Sequence, residues 1–229
     1  MEPPLSDQPP PDRILNAPAV AVLVAASMPA LYWFQEQLPD GGLSLAFRPS
    51  SLWDGYWWPG ILTSMFIHEN WTHVAMNAVG ALAFGPPVAR LVGGTKGVVG
   101  FLLFYIACGL VAAAGYGLVH PDSFGALVGA SGAVFGLMGG AIRLLGRRDG
   151  CLRALTDRRF LTTAAAIMGV NAVVGLLGLA PGMQGAQIAW EAHAFGFVCG
   201  ALLIGPWTKA FGPSREAFDS PPELRDPEA

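Results

Sequence analysis

Long stretches without a single Asp, Glu, Lys or Arg run through this chain, and they dictate what it can fold into. Ile14 to Phe34, Asn70 to Ala89, Gly97 to Pro121 and Ser123 to Ile142 are each free of such charge. A helix needs about 20 apolar residues to cross a bilayer, and a helix also satisfies its own backbone hydrogen bonds inside hydrocarbon. A further stretch, Phe160 to Trp190, is too long for one span and is broken by Pro181-Gly182-Met183-Gln184-Gly185. It divides into a fifth span near 160–180 and a sixth from about 187 to Thr208, the latter interrupted by Glu191. The expectation is an all-α membrane protein with six transmembrane helices.

Composition agrees. Charged residues make up 13% of the 229 and hydrophobic residues 53%, whereas a soluble domain carries roughly 25% charged residues. No basic stripe interleaved with aromatics suggests a nucleic-acid partner. Cys108, Cys151 and Cys199 match no zinc spacing and form no disulfide framework. Residues 1–13, rich in Pro and acidic, read as a disordered tail, neither a signal peptide nor a transit peptide. Residues 14–208 form the membrane domain, and 209–229 read as a second tail, charged and Pro-containing and expected to be disordered.

The loops set an orientation. With six spans both termini share a side, which carries Arg13, Arg90, Lys96, Arg143, Arg147, Arg148, Arg153, Arg158, Arg159, Lys209, Arg215 and Arg225, while the other side carries Arg48. Positive charge stays inside, so both termini are expected in the cytoplasm. The connection from Gln35 to Glu69, about 35 residues on the outer side, is long enough to suggest a function. Its Leu52, Trp53, Tyr56, Trp57 and Trp58 suit a segment lying in the membrane interface; a water-exposed loop with a few buried anchors is the plainer alternative.

Polar residues inside spans are costly and mark functional sites by default. The second span holds His73 and Asn77, the fourth Ser131 within Gly129-Ala130-Ser131-Gly132, and the sixth Glu191 and His193. Taken singly, each has an ordinary explanation: a packing serine, a hydrogen-bonded imidazole, an amide joining two helices. Together they are more informative. Ser131 and His193 each lie eight residues beyond an outer boundary, at Ser123 and Gly185, roughly 12 Å deep if both lead-ins are straight helix. Gly132, Gly136 and Gly140 repeat every fourth residue, as do Gly196 and Gly200, a spacing that lets two helix backbones approach.

Three blocks in this order resemble the rhomboid family of intramembrane serine proteases: His68-Glu-Asn-Trp-Thr-His73-Val-Ala-Met-Asn77, Gly129-Ala130-Ser131-Gly132, and Ala192-His193-Ala194-Phe195-Gly196 followed by Gly200. The resemblance covers about residues 17–207 and implies a six-helix rhomboid-like bundle with the long loop between its first two helices. It implies Ser131 as nucleophile and His193 as general base. The Ser131 backbone N–H and the side chains of His73 and Asn77 would stabilise the oxyanion. Gly129, Gly132, Gly196 and Gly200 would support the site, and Phe135 would pack on the imidazole where the family often has Tyr. The family uses no third carboxylate, so Glu191 is expected to face water, as is His120; His68 is expected to hydrogen-bond near a loop or helix end. Trp58-Pro59-Gly60 replaces the family's frequent Trp-Arg pair. The implied substrates are transmembrane proteins cut in or beside a membrane helix, with no cofactor or metal, and with the loop around Met183 and the fifth helix as gate. A compact core without an organelle presequence suggests a bacterial inner membrane. The rivals are a non-catalytic client binder such as the derlins, which lack the serine or histidine, and a small transporter, which would carry polar residues through the whole depth.

Overall fold

The computed structural model describes residues 17–54, 58–93, 95–145, 151–179 and 189–212. Residues 1–16, Tyr56, Trp57, the Met183 loop and the residues after Gly212 lie outside the described residues, whereas Lys209, Ala210 and Phe211, expected in the second tail, continue the last helix. Among the described residues eight α-helices follow one another: α1 (Ala19–Gln35), the one-turn α2 (Ser51–Asp54) and α3 (Gly60–Thr63), α4 (Trp71–Leu91), α5 (Thr95–Val119), α6 (Ser131–Ile142), α7 (Arg158–Leu177) and α8 (Trp190–Phe211). The fold is all-helical. Among the described residues α4, α5, α7 and α8 are long and apolar enough to cross a membrane, while α1 and α6 are apolar but shorter.

Local chemistry marks the helix ends. The Asn70 side chain accepts from the His73 N–H and caps α4. Asp157 caps α7, accepting from the N–H groups of Arg159 and Phe160. Each satisfies donors that a helix N-terminus leaves without an internal partner. Gly178, at φ 63°, ends α7 in the left-handed conformation that glycine adopts without strain.

α6 is the hub. Nine of its twelve residues are buried, and it packs against α4, α5 and α8. Its seam with α8 is made of glycine. A Cβ on Gly196 would collide with the Gly132 carbonyl oxygen, and one on Gly200 with that of Gly136. The paired positions advance together along the two helices, so α6 and α8 run parallel. Gly140, expected on this seam, instead faces Phe104, Ile204 and Val88; Gly139 takes its place, against the Phe197 carbonyl. A 3.6-residue turn drifts away from a strict four-residue repeat, which moves the contact to the neighbouring small residue.

The expectation of helix from Ser123 onward is corrected. Residues 124–128 form no helix, and α6 begins only at Ser131. The lead-in is extended and tied to the long loop. Phe47 and Leu127 exchange two backbone hydrogen bonds, of 3.1 and 2.8 Å, and the Ser50 N–H donates to the Ser123 carbonyl. The Gly129 N–H donates to the Ser64 carbonyl, and Gly129 sits at φ 112°, which no right-handed helix allows. Hydropathy alone cannot separate apolar extended chain from apolar helix. The depth estimate based on eight helical residues therefore falls for Ser131. It falls for His193 too, because α8 starts at Trp190.

α7 is the loosely held element. Phe160 and Gly175 are its buried residues, and Leu161, Val170, Val173, Leu176 and Leu177 are each more than half exposed. Trp53 and Trp58 of the long loop are also exposed, as are Phe66 and Phe124; apolar side chains turned outward in this way suit a lipid environment better than water.

The glycine seam yields a stability test. Gly196→Leu puts a branched side chain against backbone that cannot retract; the expected outcome is loss of folded protein or a cost above ~3 kcal/mol. Gly169→Ala, on α7, meets nothing within 4 Å and is expected to be neutral or to stabilise by up to ~1 kcal/mol. Thermal unfolding in detergent compares the two, and equal effects would sink the seam as the critical contact.

Candidate active site

The N-terminal turns of α6 and α8 meet over a cavity of about 820 Å³ lined by Tyr32, His68, His73, Asn77, Ser131 and His193, among others. Because the two helices are parallel and in backbone contact, their first turns lie at one level. The Ser131 hydroxyl and His193 Nε2 are 2.8 Å apart, within the 2.6–3.2 Å of a working nucleophile–base pair. Phe135, one turn after Ser131, stacks on the imidazole, with centroids 4.3 Å apart and planes 6° from parallel. His193 is 9% exposed, so its ring is held between the α6 aromatic and the serine.

Ser131 is the first residue of α6. The N–H groups of a first helical turn have no acceptor within the helix, and the positive end of the helix dipole lies there. His73 and Asn77 come from α4, four residues apart on one face. Asn77 is buried and donates from Nδ2 to the His73 carbonyl at 3.1 Å. Gly129 brings the two sides together: a Cβ there would stand 2.7 Å from His73 Nε2 and 3.7 Å from Asn77 Nδ2. Gly129 is therefore demanded twice, by its positive φ and by the imidazole against it.

His68 is 2% exposed and meets the His73 ring edge-on at 5.2 Å. Its backbone is clamped by Gln35, whose Oε1 accepts from the His68 N–H while Nε2 donates to its carbonyl, at 2.8 and 2.7 Å. The expected loop hydrogen bond is made by the backbone. Burial, with a smaller contribution from His73, pushes the His68 imidazole down to about 3, so the ring is neutral at physiological pH.

Glu191 and His120 do not simply stand in water. They pair with each other, with His120 Nε2 3.2 Å from Glu191 Oε1, and this pair joins the end of α5 to the start of α8. Within the described residues no hydrogen bond joins Glu191 to the imidazole of His193.

One polar residue that sequence reasoning passed over reaches the site. Asn171, on α7, has Oδ1 2.8 Å from His193 Nδ1, and its Nδ2 donates to the Trp190 carbonyl at 3.0 Å. The signal was available: between Ala164 and Leu177 of α7, Asn171 is the one polar side chain. The described residues contain no cluster of His, Cys, Asp and Glu able to hold a metal ion.

A hydroxyl thus meets an imidazole at the N-terminus of a buried helix, in an all-helical protein whose outward apolar side chains suit a bilayer. The Rhomboid domain model matches residues 54–208, and the chain belongs to the rhomboid family of serine proteases. It is 26% identical over 151 residues to a protein of Bacillus subtilis (strain 168) named "Putative rhomboid protease YdcA", covering 66% of this chain and 67% of that one. The protein is thus an integral membrane protease.

His68 supplies a pH test. Its folded value lies below the ordinary 6.5, so its contribution is complete above 6.5 and is lost as pH falls from 6.5 towards 3. At pH 5 the loss from this group approaches ~2 kcal/mol. Thermal unfolding at pH 7 and pH 5 should show a smaller acid-induced fall in His68→Gln than in wild type; equal falls would contradict a buried neutral His68.

Proposed function

We propose that this chain is an intramembrane serine endopeptidase that cuts transmembrane-protein substrates in or beside their membrane helices, with Ser131 as nucleophile and His193 as general base. The observation that carries this reading is the 2.8 Å Oγ–Nε2 contact beneath the Phe135 ring. Ser131 attacks the scissile carbonyl while Nε2 takes its proton. His193 then returns that proton to the leaving amine, and water releases the acyl-enzyme by the same base. The Ser131 N–H, His73 and Asn77 receive the charge that develops on the carbonyl oxygen. Support for this comes from their shared cavity and from Gly129, whose missing side chain leaves room between the α4 donors and α6. No cofactor or metal enters the steps.

The topology proposed with it rests on the apolar helices and on the charge bias of the loops. Six spans, α1 and α4 to α8, make up the membrane domain, whose last helix runs past Thr208 to Phe211, and the tails on either side lie in the cytoplasm, the membrane being a bacterial inner membrane. α6 is about 18 Å long at helical rise, too short to span alone, and its extended lead-in supplies the remaining depth at about 3.3 Å per residue. The site then opens towards the outer face, where water is available. Substrate enters laterally past α7, whose Gly175 and Leu176 line the cavity and whose outer surface is weakly packed. A carbonyl within a helix is covered by its own hydrogen bond, so the substrate helix must unwind locally, and helix-weakening residues near its outer end should favour cleavage.

A fluorophosphonate probe tests the nucleophile on purified protein. Wild type should label, whereas Ser131→Ala and His193→Ala should not; a labelled Ser131→Ala would overturn the assignment. In liposomes, both variants should lose roughly 10³-fold or more in cleavage of a transmembrane substrate. His73→Ala and Asn77→Ala should each lower kcat by about 10²-fold and still fold.

A further inference from the structure

We infer that Asn171 is a positioning residue for the base: it holds His193 in the tautomer that leaves Nε2 free to accept the Ser131 proton, making the site a Ser–His–Asn relay completed by a third helix. The inference rests on the Ser131–His193 reading above and adds a residue to it.

Two hydrogen bonds determine the chemistry. A backbone carbonyl only accepts, so the amide group facing the Trp190 oxygen at 3.0 Å must be the donor, Nδ2. The other end of the amide, Oδ1, then faces His193 Nδ1 at 2.8 Å. An amide oxygen only accepts, so Nδ1 must carry the proton. In a neutral imidazole the second nitrogen, Nε2, is then the bare one, and it is Nε2 that meets the Ser131 hydroxyl. The Trp190 carbonyl thus sets the tautomer of the base through one amide. When Nε2 takes the serine proton, Nδ1–H gains positive charge against the Asn171 oxygen, a dipole already aimed at it.

The packing is consistent with a placed residue. Gly175 lies one turn after Asn171 on the same face of α7. A Cβ on Gly175 would stand 2.6 Å from Trp190 Cβ, so the glycine lets α7 come close enough for the Asn171 amide to reach both Trp190 and His193. Phe135 holds the ring face and Asn171 the ring edge. Since α7 is otherwise weakly packed, the Asn171 contact makes the competence of the base depend on where α7 sits.

The test uses the full chain reconstituted in liposomes, with an internally quenched transmembrane peptide carrying Gly and Pro near the outer end of its helix. Asn171→Leu, Asn171→Asp and Ser131→Ala are compared with wild type for kcat, KM, fluorophosphonate labelling rate and melting temperature. Asn171→Leu should lower kcat and the labelling rate by about 10- to 100-fold with KM within about twofold. Asn171→Asp, which keeps an oxygen against Nδ1, should recover most of that loss. If the leucine variant does not fold, Asn171→Ala carries the same expectation. A folded Leu or Ala variant with kcat within about twofold of wild type overturns the inference. So does a folded Asp variant as slow as the apolar one, because the residue would then act by packing alone. In either case Ser131→Ala remains inactive; activity in Ser131→Ala would remove the nucleophile itself and this inference with it.

Discussion

Backbone contact between α6 and α8 is the constraint from which the site follows. Gly132 against Gly196 and Gly136 against Gly200 bring two parallel helices closer than any side chain permits. At that separation the residue before Gly132 and the residue three before Gly196 come within a hydrogen bond of each other. In lipid there is no hydrophobic drive between helices, so close packing of small residues carries much of the association. The same contacts that hold the bundle together therefore set the distance between hydroxyl and imidazole. α4 and α5 complete the frame around α6, with Phe101, Phe104, Val88 and Leu137 fully buried among them.

The rest of the structure contrasts rigid and loose parts. The long loop is stitched to the lead-in of α6 by backbone hydrogen bonds from Phe47, Ser50 and Ser64, and to α1 by Gln35. Those bonds hold Gly129 in its left-handed conformation and so place the N-terminus of α6 under the cavity. α7 has no comparable ties. It meets the body through a small cluster, Phe160 with Ile142, Phe197 and Ala201, and through Gly175 and Asn171 at its other end. Such a division suits the proposed reaction, in which the reacting groups are fixed while the wall beside them admits a large substrate.

Several parts of the candidate site were legible in the chain itself. His73 and Asn77 were visible as polar residues one turn apart in an apolar span, and Ser131 and His193 as the polar centres of glycine-rich blocks. Phe135 was legible by its position one turn from Ser131. Other parts were not. The residues before Ser131 are as apolar as a helix, and pairing with a loop some eighty residues earlier holds 124–128 out of one; pairing over such a distance leaves no periodic trace. Gly139 rather than Gly140 lies on the seam because of where α8 crosses, which spacing within α6 cannot report. His120 and Glu191 are each unremarkable alone and acquire a partner only through the approach of α5 to α8. Asn171 was visible as an amide in a largely apolar span, but its partners lie on α8, which its place on α7 does not report.

What the sequence by itself determined is therefore the class of fold and the inventory of its chemistry: charge-free stretches that become mostly helical, because a helix satisfies its own backbone in hydrocarbon, and the few polar residues worth their cost within them. What only the tertiary structure decided is which atoms face which. The 2.8 Å contact of Ser131 with His193, the α6 N-terminus beginning at the serine itself, and the Asn171 amide on the far side of the imidazole all depend on helix crossings and long-range backbone pairing. Those are set by the summed packing of many residues, which no local pattern records.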